Sequence, residues 1–280
     1  MMKQNTFLST LVALLLAACG GSQQPSESQS DALPDNVYCV KKYQIYGIQD
    51  HDQTMSAELF KGYNDSLLTQ VMPTGETEAG INVFLVDFGE FGYILFDAGI
   101  GADKGGRLME TLDSLDISPN EISQIFITHL HFDHVGGLFN PDGTAAFPSA
   151  NLYIPQPEYD AWSSGKMGDT KVVEMIDRCY EGRINCFTPG DTIDSIAGIV
   201  TIPAYGHTPG HTIYNIEDVL IVGDIMHAVA LQLDHPEFCA RFDADPAHAV
   251  ATRKAVLDRA RTEHLTLCGM HFPRPLMIEF

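Results

Sequence analysis

The chain has 280 residues, of which 45% are hydrophobic and 19% are charged, a composition typical of a folded globular protein. Asp and Glu outnumber Lys and Arg by 37 to 16, which gives a formal net charge of −21 at pH 7. Because nucleic-acid binding draws most of its affinity from cationic side chains, this charge argues against a nucleic-acid partner.

The N-terminus is predicted to be an export signal rather than part of the fold. Lys3 precedes an apolar run over residues 7–18, which is shorter than the roughly 20 residues that span a membrane and is typical of a secretory signal. The run ends in Leu16-Ala17-Ala18-Cys19, which resembles the lipobox of bacterial lipoproteins. That resemblance implies a signal peptide over residues 1–18 and a lipid on Cys19. An ordinary signal peptide with a chance cysteine is the alternative.

Residues 19–35 are polar, rich in Ser and Gln and free of aromatic residues, so they are predicted to form a disordered tether. A lipid on Cys19 would hold the protein at the periplasmic face of a bacterial membrane, with the outer membrane as the expected location. Removing Cys19 from the six cysteines leaves an odd number, so at least one thiol stays unpaired. Cys179 and Cys186 flank a short loop that a disulfide could close, although their spacing alone does not prove a bridge.

Residues 36–280 are predicted to form one folded domain in which short apolar runs alternate with helical patterns. The short segments Glu90-Phe91-Gly92 and Glu217-Asp218 predict antiparallel hairpins. Asp245 as N-cap and Pro246 at the first helical position predict the start of a helix. Hairpins mixed with helices favour two sheets covered by helices over one parallel sheet. The predicted strands are 81–88, 93–96, 124–128, 152–154, 199–202, 212–216 and 219–222, and the predicted helices lie near 105–115, 158–163, 171–180 and 245–262.

A dense group of metal-binding side chains directly follows the predicted strand 124–128. The segment Thr128-His129-Leu130-His131-Phe132-Asp133-His134 places three His and one Asp within six residues. Imidazole nitrogens and carboxylate oxygens are ligands that zinc prefers. Because the strand ends here, these side chains are released into a loop, free of strict alternation. The pattern predicts a metal site at this end of the strand.

This segment, continued by Val135-Gly136-Gly137, resembles the HxHxDH motif of the metallo-β-lactamase superfamily. Four further segments resemble the other motifs of that superfamily and occur in the same order. They are Phe96-Asp97-Ala98-Gly99, Gly206-His207-Thr208-Pro209-Gly210-His211-Thr212, Val222-Gly223-Asp224 and Gly269-Met270-His271. The resemblance covers roughly residues 81–271. It implies an α/β fold, the four-layer αββα sandwich of that superfamily.

The resemblance also implies two metal sites that share one carboxylate. The residues expected at the first site are His129, His131 and His211, and those expected at the second are Asp133, His134 and His271. Asp224 is expected to bridge the two sites. Asp97 is expected to orient a ligand imidazole by accepting its free N–H. His207 is expected to be structural, because the resemblance assigns the ligand role to the second histidine of the segment.

An all-imidazole first site favours zinc and hydrolysis over iron and redox chemistry, so two Zn²⁺ ions are expected, with other divalent metals as alternatives. Two such ions lower the pKa of a shared water to about 7, and the resulting hydroxide is expected to attack a carbonyl or phosphorus. Asp133 and a metal-bound water are then the two candidates for protonating the leaving group. His227, three residues after Asp224, has two alternative roles. It could donate a hydrogen bond to the developing oxyanion, or it could pack beneath the site.

The substrate is expected to be a lactone, an ester or an organophosphate-like triester. In having His at position 227, the chain resembles the methyl-parathion-hydrolase-like branch of the superfamily. Lactonases of this fold tend to carry Tyr at this position, three residues after the bridging Asp. Class B β-lactamases lack the bridging Asp found here as Asp224, which argues against a β-lactamase without excluding it. A β-lactamase is therefore kept only as an alternative. The segment after His271 has only nine residues, which gives weight to a non-catalytic zinc-binding lipoprotein as another alternative. Side chains that could line an apolar pocket, or belong to the core, are Phe132, Leu138, Phe139, Met226 and Phe272.

Overall fold

The computed structural model describes residues 34–35, 37–40, 45–60, 64–193 and 198–280. The predicted signal peptide, Cys19 and nearly all of the predicted tether lie outside the described residues. Within these ranges no helix is both long and apolar enough to cross a membrane. The domain boundary placed at residue 36 stays a prediction.

The first seven strands form one sheet in which they lie in the order of the chain. They are β1 (Val37–Val40), β2 (Ile45–Ser56), β3 (Glu76–Asp87), β4 (Tyr93–Phe96), β5 (Ile122–Phe126), β6 (Asn151–Pro155) and β7 (Ile184–Phe187). The first four strands pair antiparallel, and β4 to β7 pair parallel. The turn at Glu90-Phe91-Gly92 joins β3 to β4, as the sequence predicts.

The last five strands form a second sheet in the order β12-β11-β10-β9-β8. They are β8 (Ile199–Pro203), β9 (Thr212–Ile216), β10 (Val219–Gly223), β11 (Thr266–Gly269) and β12 (Met277–Glu279). Only β10 and β11 pair parallel, and the other neighbours are antiparallel. Glu217 adopts a left-handed φ of 51° in the tight turn between β9 and β10, which the sequence also predicts.

Helices connect the strands of both sheets. They are α1 (Asp65–Val71), α2 (Leu108–Ser114), α3 (Phe132–Val135), α4 (Gln156–Ser163), α5 (Lys171–Cys179), α6 (Val229–Gln232) and α7 (Pro246–Glu263). Phe84 and Phe126 from the first sheet pack between the sheets against Tyr214 from the second. Apolar residues of α2 and α5 pack on the outer face of the first sheet, and those of α7 pack on the second. The predicted four-layer αββα fold is therefore confirmed.

The longest helix, α7, begins at the residues that the sequence indicates. The Asp245 side chain accepts a hydrogen bond from the N–H of His248, and Pro246 occupies the first helical position. The predicted loop between Cys179 and Cys186 is not closed by a disulfide. The thiol of Cys179 instead donates to the carbonyl of Gly143 over 3.2 Å.

Candidate metal centre

Loops that follow strands of both sheets bring the candidate metal-binding side chains close together. Residues 129–134 follow β5 and include α3, and the two histidines of the GHTPGH segment lie between β8 and β9. Asp224 follows β10 and His271 follows β11. Gly137 allows close packing here, because a Cβ atom at this position would collide with the carbonyl oxygen of Ala98. The loop after β5 therefore lies directly against the loop that carries Asp97.

Three imidazoles and one carboxylate form a first cluster: His129, His131, His207 and Asp224. Nδ1 of His131 lies 2.9 Å from Nε2 of both His129 and His207, and the latter two atoms are 3.2 Å apart. Oδ2 of Asp224 lies 3.3 Å from Nε2 of His207 and 3.7 Å from Nε2 of His129. Four donor atoms from three separate loops thus face one point.

A second cluster consists of Asp133, His134 and His271. Nε2 of His134 lies 3.2 Å from Oδ1 of Asp224, and Nε2 of His271 lies 3.1 Å from Oδ2 of Asp224. Oδ2 of Asp133 lies 3.4 Å from Nε2 of His271. Asp224 contacts both clusters, so one carboxylate joins them.

The structure exchanges the roles expected of His207 and His211. Nδ1 of His211 donates to the Ala204 carbonyl over 2.9 Å, and its Nε2 accepts from the N–H of Asp224 over 3.0 Å. A neutral imidazole has only one nitrogen lone pair, and here a backbone N–H occupies it. The structure therefore places His207, and not His211, in the first cluster, which differs from the expected arrangement; which of the two histidines holds a metal stays a prediction.

Two imidazoles of the second cluster are oriented through their other ring nitrogen. Nδ1 of His134 lies 2.7 Å from Oδ2 of Asp97, which also accepts the hydroxyl of Thr128. Nδ1 of His271 donates to the carbonyl of Gly80 over 2.8 Å. Such contacts fix the tautomer and leave Nε2 facing the cluster. Asp97 lies where the sequence analysis expects an orienting carboxylate.

His207 is oriented by a buried carboxylate that no sequence motif indicates. Oδ1 of Asp243 lies 2.8 Å from Nδ1 of His207, and Oδ2 of Asp243 lies 3.6 Å from Nη2 of Arg253. Arg253 is only 1% exposed and donates to the carbonyls of Pro236 and Phe238. Because 36 residues separate His207 from Asp243, local spacing gave no signal of the pair.

His227 is buried beside Asp224 and does not reach the surface. Its Nε2 lies 3.2 Å from Oδ2 of Asp224, and its backbone N–H donates to the side chain of Gln232. Its ring stacks on His271 and meets the edge of Phe242. Of the two alternatives for His227, this geometry matches the residue packed beneath the site.

Burial lowers the pKa of the first-cluster imidazoles, to about 4 for His131 and about 3 for His207, and well below its usual value for His129. These rings are therefore neutral at pH 7. Burial alone would raise the pKa of Asp224, but the charges of His134 and His271 and a hydrogen bond from His134 together outweigh burial and hold that pKa well below its usual range. Neutral imidazoles around an ionised carboxylate are the donor set that a divalent cation requires.

In the second cluster the pKa values of the two imidazoles shift in the opposite direction and are raised. Burial disfavours a charge on His134 and on His271, but the carboxylates of Asp224 and Asp133 together outweigh burial and raise the pKa of both. Asp97 and Asp133 act in the same direction on the pKa of His134. The carboxylates concentrated here thus favour a positive charge at this cluster, which a bound cation can supply in place of the protons.

A cleft of about 420 Å³ opens onto the clusters. Gln53, Met55, Phe132 and Phe242 line it beside the cluster residues. Phe132 and Phe242 are 43% and 39% exposed, which is unusual for large apolar side chains. Phe132 thus lines the pocket as predicted. The other four pocket candidates, Leu138, Phe139, Met226 and Phe272, are buried in the core instead.

Comparison with known proteins points to one family. A family model described as "Metallo-beta-lactamase superfamily" matches residues 77–149. An N-acyl homoserine lactonase of a Bacillus species is 26% identical over 111 residues, which are 40% of this chain and 39% of the lactonase. A hydroxyacylglutathione hydrolase of Shewanella denitrificans is 34% identical over 108 residues, 39% of this chain and 35% of that enzyme. The aligned region thus spans well under half of these curated relatives.

Solved structures match over a larger part of the chain. The hydrolase AbOPH, described as a member of the beta lactamase superfamily, has a TM-score of 0.77 and 28% identity and covers 87% of this chain and 91% of its own. AidC, described as a dizinc quorum-quenching lactonase, has a TM-score of 0.75, covers 86% of this chain and 91% of its own, and is 22% identical. The likeness to AidC shows the fold alone.

Proposed function

We propose that this chain, which contains a metallo-beta-lactamase superfamily domain, is a dinuclear zinc hydrolase of lactones, esters or organophosphate-like triesters. The position of Asp224 carries the proposal. Its carboxylate lies 3.3 Å from His207 in the first cluster and 3.1 Å from His271 in the second. A carboxylate between two groups of imidazoles is suited to bridge two cations, the arrangement that assists hydrolysis in two-metal enzymes.

The donor atoms fit zinc. The ring nitrogens of the first cluster are 2.9 to 3.2 Å apart. This is close to the roughly 3.3 Å between ligands of a tetrahedral zinc with Zn–N bonds of about 2.0–2.1 Å. Nε2 of His134 and Oδ1 of Asp224 are buried and lie 3.2 Å apart, and neither atom makes a hydrogen bond of good geometry within the described part of the chain. Atoms in that state are available as ligands, since buried polar atoms otherwise find partners.

The ligand assignment follows from the two clusters. We assign the first ion to His129, His131 and His207, the second ion to Asp133, His134 and His271, and both ions to Asp224. When bound, the two ions would supply a water of lowered pKa and polarise the bond that is attacked. His227 supports the centre through its contact with Asp224, since it does not belong to the residues that line the cleft.

The chain's own residues bind the substrate and carry a proton. Met55, Phe132 and Phe242 offer an apolar wall to an acyl or aryl group, since they line the cleft. Asp133 also lines it, with a side chain that is 31% exposed. Burial favours the neutral form of Asp133, but the charges of His134 and His271 together outweigh burial and lower the pKa. An ionised Asp133 can therefore accept the proton of the attacking water and return it to the leaving group.

The similarity to relatives supports lactones as the first substrates to test, because several of the curated relatives are N-acyl homoserine lactonases. The solved hydrolase AbOPH, at 28% identity, supports a hydrolytic activity in a chain of this fold. Hydroxyacylglutathione hydrolases also match. A glutathione thioester is a cytosolic substrate, however, and does not agree with the predicted export of this chain.

Zinc-supplemented hydrolysis tests the proposal, with an acyl-homoserine lactone, an aryl ester, a chromogenic β-lactam and a nitrophenyl phosphotriester as substrates. We expect turnover of the lactone, ester or triester, and a loss of more than about 100-fold in kcat/KM for Asp224→Ala. Asp258→Ala is the control, because this side chain is 80% exposed on α7. Turnover of the β-lactam alone would assign a β-lactamase. Bound zinc without any turnover would favour the non-catalytic zinc-binding alternative.

A further inference from the structure

Glu158 is a fully buried carboxylate near the metal centre that belongs to neither cluster. It lies in the first turn of α4, where the positive end of the helix dipole favours an anion. A buried carboxylate destabilises a fold unless its oxygens accept hydrogen bonds. The partners of Glu158 therefore indicate what this residue does.

One oxygen of Glu158 holds the loop that carries His131. Oε1 accepts from the backbone N–H of Leu130 over 3.1 Å and from Nε1 of Trp162 over 2.7 Å. Leu130 lies between His129 and His131 in the chain. The Trp162 ring meets the ring of His131 edge-on, with 5.7 Å between the ring centres. Oε1 thus fixes both the backbone beside His131 and the aromatic ring against which His131 packs.

The other oxygen holds the loop that carries His207. Oε2 accepts from the hydroxyl of Thr208 over 2.7 Å and from the N–H of Gly210 over 2.8 Å. Thr208 follows His207 directly. A Cβ atom at Gly210 would collide with the backbone of Glu158, so only glycine lets this loop lie so close to α4.

We propose that Glu158 is a positioning residue that sets the spacing between His131 and His207 by tying each loop to one carboxylate oxygen. The two ring nitrogens are 2.9 Å apart, although the residues are 76 positions apart in the chain. Local backbone geometry therefore cannot fix that distance. This inference rests on the proposed metal centre, and it adds that zinc affinity depends on a side chain that does not touch the metal.

The test is the zinc affinity of the full chain, stripped of metal and carrying Glu158→Gln. The amide has the size of the carboxylate, but its NH₂ group cannot accept from the donors of a loop, so one loop is released. We expect zinc affinity to fall about 10- to 100-fold, the usual effect of losing a partner that orients metal ligands. Competition with a chromophoric chelator measures this affinity.

Fluorescence gives a second measurement on the same samples. Trp162 is the only Trp of the chain, so its emission reports on the contact between Glu158 and the His131 loop. We expect zinc to change the emission of the wild-type chain. In Glu158→Gln the same change should require a correspondingly higher zinc concentration.

Two further variants separate positioning from general destabilisation. Asp50 is a matched buried carboxylate that accepts from the N–H groups of Ile100 and Leu108, which belong to neither cluster. Asp50→Asn should lose stability and keep the wild-type zinc affinity. Thr208→Val removes one donor to Glu158 and should lower zinc affinity about 2- to 10-fold, as expected for one hydrogen bond. Thr208→Val tests the positioning role of Glu158 if Glu158→Gln does not fold.

Wild-type zinc affinity in both Glu158→Gln and Thr208→Val would overturn the positioning role. An equal loss of affinity in Asp50→Asn would overturn it as well, because general destabilisation would then explain the effect. A wild-type chain that binds no zinc would overturn the proposed metal centre and this inference together. Zinc binding by the wild type with unaffected variants would overturn this inference alone.

Discussion

A histidine can bind a metal only when one of its ring nitrogens keeps a free lone pair. His207 meets this condition, because Asp243 engages its Nδ1 and its Nε2 faces the first cluster. His211 does not, since the Ala204 carbonyl and the Asp224 N–H engage both of its ring nitrogens. The two residues are therefore a natural pair for testing which histidine of the GHTPGH segment serves the metal.

We expect His207→Gln to weaken zinc binding by about 100-fold, because it removes a proposed ligand. His211→Gln should keep the wild-type zinc affinity. It should lower the free energy of unfolding by about 1–3 kcal/mol, because it disturbs the buried hydrogen bonds of Ala204 and Asp224. Chelator competition and urea unfolding of the metal-free proteins measure the two effects. The reverse pattern would restore His211 as the ligand.

Among the helices, α7 contributes to the site through the side chain of Arg253. Arg253 lies on α7 and is 1% exposed. Its guanidinium donates to the carbonyls of Pro236 and Phe238 and lies 3.6 Å from Asp243. The helix thereby holds the segment between α6 and α7 in place and balances the carboxylate that orients His207.

We expect Arg253→Met to lower the free energy of unfolding by about 3–5 kcal/mol, because it leaves the charge of Asp243 buried without its cationic partner. Arg259→Ala on the same helix is the control. Arg259 is 37% exposed and pairs with Glu263, and such surface pairs contribute about 0–1 kcal/mol. Urea unfolding of the metal-free chains measures both values. Similar losses in the two variants would contradict a special role for Arg253.

The sequence predicted several strands from their apolar runs and missed others, among them β1, β2 and β7. The predicted strands at 93–96 and 212–216 coincide with β4 and β9. The long strand β2 was not predicted, because it carries buried polar residues such as Asp50, which accepts hydrogen bonds from the distant Ile100 and Leu108. Tertiary contacts of this kind override the local hydrophobic pattern.

The candidate site, too, could be predicted from the sequence only in part. Residues inside the motifs could be found from the sequence, and the structure brings six of the seven expected ligands into the two clusters; the exception is His211. The carboxylates that support them could not be found in this way. Glu158 contacts Gly210 across 52 residues, and Asp243 contacts His207 across 36 residues. A motif records short-range spacing, whereas these pairs form only once distant parts of the chain have packed together.

At the scale of the whole molecule, the proposed centre connects the two sheets. His129 and His131 follow β5 of the first sheet, whereas Asp224 and His271 follow β10 and β11 of the second. Cations held between these loops would link the two sheets outside the apolar core. Unfolding would then require both the exposure of that core and the release of the ions.

We therefore expect zinc to raise the melting temperature strongly. A ligand that binds only the folded state at 1,000 times its Kd adds about 4 kcal/mol, which corresponds to roughly 10 °C for a domain of this size. Calorimetry of the chain with excess zinc and after chelation measures the shift. Asp224→Ala should lose most of it, since Asp224 is the carboxylate that contacts both clusters. His271→Gln should keep a larger part, because the first cluster stays complete. An unchanged shift in Asp224→Ala would mean that the two clusters hold metal independently, and the shared carboxylate would then have no role in the centre.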